Sequence, residues 1–193
     1  VADYITKPFN LRELSARIHS ILSRHDLYEK LATVDTLTGL YNANFFRKEI
    51  SHVFSLAKRY DGVFSLAVLD VDDLKKVNDR YSHSVGDMVL KKVSDILKSK
   101  TRDSDIIARY GGDEFVLILP ETDSRGAECT IKRIREALNM GLVELEGDDK
   151  EKIPLSVSIG CATYDKSLSS AKDLFEKADS EMYSEKRSKN NKK

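Results

Sequence analysis

Ile106-Ile107-Ala108-Arg109-Tyr110-Gly111-Gly112-Asp113-Glu114-Phe115-Val116-Leu117-Ile118-Leu119 is the stretch on which the reading of this chain turns. Two short apolar runs flank a Gly-Gly pair, the pattern of a β-hairpin whose turn uses residues free to take positive φ. Asp113 and Glu114 leave that turn side by side. Like charges ~4 Å apart cost on the order of 4 kcal/mol at an effective dielectric of 20. Two readings stand: an acidic, solvated turn, or a site where a divalent cation converts the repulsion into attraction.

A second acidic stretch lies upstream. Val63 to Leu69 is nearly continuous in apolar residues, as in a strand buried on both faces, and it ends in Asp70-Val71-Asp72-Asp73. The strand period of two places Asp70 and Asp72 on one face. With Asp113 and Glu114 on a hairpin of the same sheet, three or four carboxylates can converge. Such hard oxygen ligands suit Mg²⁺ or Mn²⁺. Two ions ~3.5–4 Å apart would activate an attacking hydroxyl and stabilise a leaving pyrophosphate. The chemistry indicated is metal-assisted phosphoryl or nucleotidyl transfer; the bland alternative is a set of unrelated acidic strand ends. No Rossmann or P-loop glycine fingerprint is present, so a nucleotide is held some other way.

The rest of the chain alternates helices and strands. A helical pattern from near Asn10 carries Leu11, Leu14, Ile18, Ile21, His25, Tyr28 and Ala32 as a heptad seam that weakens toward its end. Asn42 can cap a helix through Tyr60, and a short helix follows the acidic stretch. A loop is expected over Tyr81 to Gly86, with helices over Asp87 to Lys98, Ser124 to Leu138 and Ala171 to Ser188. Late strands are expected over Leu142 to Glu146 and Ile153 to Thr163. Lys189 to Lys193 reads as a frayed basic tail. The 32 basic and 32 acidic residues balance, which argues against nucleic acid or an anionic membrane as partner. No apolar run nears the ~18 residues of a membrane span. Cys129 and Cys161 form no CxxC and sit in apolar contexts that suit buried thiols, so a reduced, cytoplasmic setting is expected. The start at Val1, mid-pattern, reads as a piece of something longer.

Gly111-Gly112-Asp113-Glu114-Phe115 resembles the signature of the GGDEF diguanylate cyclase family. The resemblance extends to Asp35-Thr36-Leu37-Thr38-Gly39-Leu40-Tyr41-Asn42 and to Asp70-Val71-Asp72-Asp73-Leu74-Lys75-Lys76-Val77-Asn78-Asp79, followed by His83 and Gly86-Asp87. It continues in Ser156-Val157-Ser158-Ile159-Gly160 and in Ala178-Asp179, Met182-Tyr183 and Lys186. It implies an α+β, palm-like fold like that of polymerases and nucleotidyl cyclases: a central, mostly antiparallel sheet flanked by helices, here with an N-terminal linker helix. Two GTP, one on each of two facing copies in a head-to-tail homodimer, would condense into cyclic di-GMP with release of two pyrophosphates.

The resemblance also assigns roles. Asp70 and Glu114 would ligate the metals, two per site, with the Val71 carbonyl assisting. Asp113 would share a metal or help deprotonate the ribose 3′-hydroxyl. Asn78 and Asp87 would read the guanine edge, where Asp87 suits the N1–H and N2–H₂ donors that adenine lacks; their bland readings are a helix C-terminal cap and a helix N-cap. Lys75 and Lys186 would meet phosphates. Asp73, Leu74 and His83 belong to the same GTP-binding segments, and Gly111 and Gly112 would let backbone approach the triphosphate. Two departures stand out. The family often has Gly-Arg-Asn or Gly-Lys-Asn after the final-helix lysine, whereas this chain has Lys189-Asn190-Asn191, leaving the second phosphate-contacting cation unaccounted for. Ser82 replaces a usual glycine.

Arg102-Asp103-Ser104-Asp105 resembles the RxxD inhibitory site for cyclic di-GMP, with Arg133 as a secondary contact. Asp3 to Phe9 resembles the last strand and Lys-Pro turn of a response-regulator receiver domain, which implies an upstream histidine kinase. The expected organisation is a receiver remnant over 1–23, a linker helix over 24–34, the cyclase domain over 35–188 and a tail over 189–193. The rivals are a catalytically silent GGDEF receptor that binds cyclic di-GMP and signals by protein contact, and an enzyme making a mixed purine dinucleotide.

Overall fold

The structure, a computed structural model, describes residues 12, 14, 15, 17, 32–145 and 151–191. The elements run β1 (Tyr41–Asn42), α1 (Ala43–Tyr60), β2 (Phe64–Val71), α2 (Leu74–Arg80), α3 (His83–Lys100), β3 (Ile106–Arg109), β4 (Glu114–Pro120), α4 (Ser124–Asn139), β5 (Leu142–Glu144), β6 (Lys152–Pro154), β7 (Val157–Thr163) and α5 (Ala171–Asn190). Five strands form one sheet in the order β1-β3-β4-β2-β7, and β5 pairs with β6 apart from it. Only β1 and β3 run parallel within the large sheet. The chain is therefore α+β with a mostly antiparallel central sheet, as expected. Most of the expected receiver remnant and of the linker helix lies outside the described residues.

All eight residues of β2 are buried, since helices cover both faces of the sheet. Ala67, Leu69 and Val71 join Phe115 and Leu117 in a core with α3 and α4, supplied by Val93, Leu97, Ile134 and Leu138. Phe64, Leu66 and Val68 join Val116 and Ile118 in a second core with α1 and α5, supplied by Phe46, Phe54, Leu174 and Met182. Burying each such side chain contributes roughly 1.5–3 kcal/mol. Two caps fix helix starts. Asn42 accepts from Asn44 and Phe45 backbone N–H at 3.0 Å each, and Ser170 with Asp173 forms a capping box at the start of α5.

Several expectations are corrected. Ile153 to Thr163 is two strands, because Pro154 ends β6 and the chain changes sheets at Leu155-Ser156. The loop before α3 is short, so α3 begins at His83 and Asp87 lies inside it rather than at its N-cap. α5 runs to Asn190, with Lys189 tied down rather than frayed. Cys129 is exposed, because the buried stripe of α4 is Ala127, Ile131, Ile134 and Leu138. Cys161 is partly covered, and burial pushes its thiol up to about 12. Among the described glycines only Gly39 has positive φ, at 63°, so Gly111 and Gly112 are not required by a left-handed turn.

Candidate active site

The β2–β4 register pairs Asp70 with Glu114. The alternation that turns Val68 and Val116 toward α5 also turns these two carboxylates there, at the end of the sheet. Val71 N–H donates to the Asp113 carbonyl at 2.9 Å, continuing the pairing past the strand end. Asp70 is buried and accepts from Lys186 Nζ at 2.6 Å. Burial raises the Asp70 pKa against the pull of Lys186, helped by Asp113 and Asp72. Burial also raises that of Glu114, helped by Asp113, Asp70 and Asp179. Lys186 is raised too, since the surrounding carboxylates outweigh its own desolvation. The surplus of negative charge at this end of the sheet adds to the effect of burial at Asp70 and Glu114 and opposes it at Lys186.

Glu114 and Asp113 have no side-chain hydrogen bond or ion pair among the described residues. No three acidic, histidine or cysteine side chains among those residues form a ready metal cage. That arrangement suits Mg²⁺, which takes one or two carboxylates and completes its shell with phosphate and water.

Beside the acidic end lies a cleft of about 440 Å³ whose lining includes Lys75, Asn78, His83, Asp87, Gly112 and Asp113. Leu74 and Gly86 also line it. Asp113 is the residue that the two regions share. A Cβ on Gly86 would stand 1.9 Å from Asn78 Oδ1, so glycine at that point of α3 makes room for the Asn78 side chain. Asn78 Oδ1 is buried with no hydrogen-bond partner. Such an orphaned acceptor costs about 1–3 kcal/mol unless a ligand satisfies it. Asn78 therefore does not cap α2 through this atom. Asp73 takes a left-handed φ of 58° at the start of α2, a conformation that Asp tolerates better than most residues.

Asp70, Val71, Asp73, Gly111, Glu114 and Lys186 lie outside the cleft lining. The side chain of Val71 is part of the hydrophobic core. A Cβ on Gly111 would meet Glu114 Oε2 at 2.5 Å, the far end of a side chain that can turn aside. A Cβ on Gly112 would meet nothing within 4 Å. Gly112→Ala is accordingly expected to change stability by less than about 0.5 kcal/mol. If the triphosphate lies against this backbone, the same variant weakens nucleotide binding; unchanged affinity by calorimetry would remove Gly112 from the site.

Three contributors were not among the expected site residues. Arg109 donates to the Gly112 carbonyl at 2.7 Å and to both Asp35 carboxylate oxygens at 3.3 Å. It thereby ties the signature turn to the turn that opens the domain. Burial works to raise the Asp35 pKa, but hydrogen bonds from Thr38 and the Arg109 guanidinium hold it low. The signal was available, because Arg109 immediately precedes the turn and Asp35 opens its own motif. The third is Lys189, while Asp72, expected to converge with the other carboxylates, is taken up by it. Lys189, standing where the family pattern has glycine, turns to Asp72 at 3.0 Å.

Arg102 and Asp105 form a local turn in which Arg102 N–H donates to Asp105 Oδ2 at 2.8 Å. Arg133 donates to the Lys100 carbonyl at 2.9 Å, which brings its guanidinium to the same end of α3. A wider groove of about 910 Å³ runs along β7 between α4 and α5. It contains neither the acidic cluster nor Asn78, so its size does not make it the site.

Residues 32–192 match the family model described as diguanylate cyclase, GGDEF domain. The chain belongs to the GGDEF family. Diguanylate cyclase A of Treponema denticola is 33% identical over 180 residues, covering 92% of this chain and 48% of that protein. Diguanylate cyclase DgcS of Shewanella oneidensis is 36% identical over 157 residues, covering 81% of this chain and 50% of that protein. The chain thus spans about half the length of these relatives. The coiled coil and GGDEF domain of DgcB from Caulobacter crescentus, solved in complex with c-di-GMP, aligns with a TM-score of 0.86 at 27% identity, covering 92% of this chain and 93% of that one. SiaD of Pseudomonas aeruginosa, solved with its activator SiaC, aligns at 0.75 and 28% identity, covering 92% of this chain and 67% of that one. No helix among the described residues of this GGDEF protein is long and apolar enough to cross a membrane.

Proposed function

We propose that this chain carries a working diguanylate cyclase domain, in which two GTP on two facing copies condense into cyclic di-GMP and two pyrophosphates. The observation that carries the reading is Asn78 Oδ1, a buried acceptor without a partner, lying with Asp87 in a cleft that ends at Asp113. Guanine offers N–H donors to both acceptors, and a site built to satisfy them rejects bases that lack them. Asp70 and Glu114, with the Val71 carbonyl and Asp113, would hold one or two Mg²⁺ or Mn²⁺, which supply Lewis-acid stabilisation of the triphosphate and lower the pKa of the attacking 3′-hydroxyl. Lys186, paired with Asp70, is within reach of phosphates placed beside that carboxylate. Lys75 and His83 line the same cleft as Asp87.

A ring with two-fold symmetry needs a second 3′-hydroxyl aimed at the first α-phosphate, so the reading includes a homodimer. Arg102, Asp105 and Arg133 are the proposed product-inhibition site, and residues 1–23 the proposed remnant of a receiver domain whose phosphoacceptor part, not these residues, a histidine kinase would act on.

The test is incubation with GTP and Mg²⁺ followed by mass analysis of products, with ATP in parallel. Cyclic di-GMP from GTP and nothing from ATP is expected, with Asp87→Ala lowering GTP use at least about tenfold. No product from GTP, with cyclic di-GMP still bound at Arg102, would replace this reading by that of a silent receptor.

A further inference from the structure

We propose that Lys189 and Asp72 are positioning residues that hold Lys186 opposite Asp70; the proposal rests on the cyclase reading above. Asp70 near the end of β2 and Asp72 just past it each grip a lysine of α5, in Asp70–Lys186 and Asp72–Lys189. Their surroundings differ. Asp72 is saturated: it accepts from Ser156 Oγ at 2.6 Å, Ser158 Oγ at 2.7 Å and Lys189 Nζ at 3.0 Å. Burial works to raise the Asp72 pKa, but these three donors outweigh it. Asp70 has Lys186 as its one side-chain donor among the described residues. One carboxylate is thus locked into the frame and the other is left open to a ligand.

The lock extends along α5. Lys189 Nζ also reaches the Val157 carbonyl at 2.5 Å and Glu185 Oε1 at 2.9 Å. Glu185 accepts from Ile159 N–H at 3.4 Å, and Glu181 from Cys161 N–H at 3.2 Å. Residues 181, 185 and 189 therefore service backbone groups at 161, 159 and 157. Four helical residues rise about 6 Å, and two strand residues about 6.8 Å. The near match lets one helix face follow the strand without strain. Arg135 of α4 braces the middle rung, donating to Glu185 at 2.5 and 2.8 Å.

Lys186 sits between the last two rungs, so its reach is set by theirs. Removing Lys189 frees the final turn of α5, and Lys186 then samples positions away from Asp70. The expected cost falls on triphosphate binding.

The experiment measures affinity for α,β-methylene GTP with Mg²⁺ by calorimetry, and KM and kcat for GTP alongside. Lys189→Gln is expected to weaken analogue binding and raise KM about tenfold, the effect of misaligning one charge-assisted contact, with Lys189→Arg restoring both. In a Lys186→Met background, Lys189→Gln should add little, since the group it positions is gone. Unchanged affinity in Lys189→Gln, or an equal loss in the Lys186→Met background, overturns the proposal. If Lys189→Gln does not fold, Ser156→Ala with Ser158→Ala loosens Asp72 instead, and the same two outcomes decide. Wild-type protein that binds the analogue but makes no cyclic di-GMP overturns the cyclase reading alone; wild type without affinity for the analogue overturns both.

Discussion

Glu114→Gln is expected to lower turnover by at least ~10²-fold while leaving the metal-free protein at least as heat-stable as the wild type. The two effects share a cause. Burial, then Asp113, Asp70 and Asp179, raise the pKa of Glu114 above its ordinary 4.5. A carboxyl raised on folding binds more protons in the native state than in the unfolded chain. Its ionisation therefore removes stability as pH rises from about 4.5 through the native value. The amide, which carries no charge, escapes that penalty. Thermal melts from about pH 4 to about pH 8, without divalent metal, should show the variant gaining on wild type as pH rises. The groups that cost the apo protein stability are then the ones that would gather cations. A variant melting well below wild type at neutral pH would mean that Glu114 holds the fold together instead.

Gly160→Ala is expected to be the most disruptive small substitution in the molecule. A Cβ there would stand 2.1 Å from the Ala178 carbonyl oxygen and 2.2 Å from the Met182 nitrogen. Both are backbone atoms of α5, so no side-chain rotation relieves the clash and the helix must move. Overpacking of this kind costs about 3 kcal/mol or more, which for a domain of this size is a drop in Tm of roughly 6–12 °C. Because α5 carries Lys186 and Lys189, nucleotide binding should fall as well. A denaturant melt within about 1 kcal/mol of wild type would show that the helix yields more easily than its packing suggests.

Much of this was legible in the sequence, for reasons that differ from residue to residue. The apolar run before Asp70 announced a doubly covered strand, and the hairpin announced its antiparallel neighbour. Periodicity also set the helices to within a few residues. What failed were features decided by distant contacts. The run from Ile153 to Thr163 looks like one strand because alternation alone does not reveal a change of sheet at Leu155. Gly111 and Gly112 invited a turn argument based on φ, whereas neither takes a positive φ, Gly111 lies against the end of the Glu114 side chain and Gly112 borders open space. Lys189 looked like part of a frayed tail, because nothing local says that Asp72, more than a hundred residues earlier, lies beneath it. Asn78 was singled out by resemblance, and its unsatisfied oxygen became visible only with Gly86 packed against it.

The sheet has two rims. β1 at one of them is two residues long. β7 at the other is a full strand, and its outward amides at 159 and 161 are already taken by glutamates of α5. Neither rim offers a template on which another chain could add a strand, the usual route by which sheets recruit partners or aggregate. Under the cyclase reading proposed above, two copies that meet head to tail would do so through surfaces other than the edges of this sheet. If, as that reading requires, the copies pair to close the ring and part to release it, such faces serve them better than a zippered sheet.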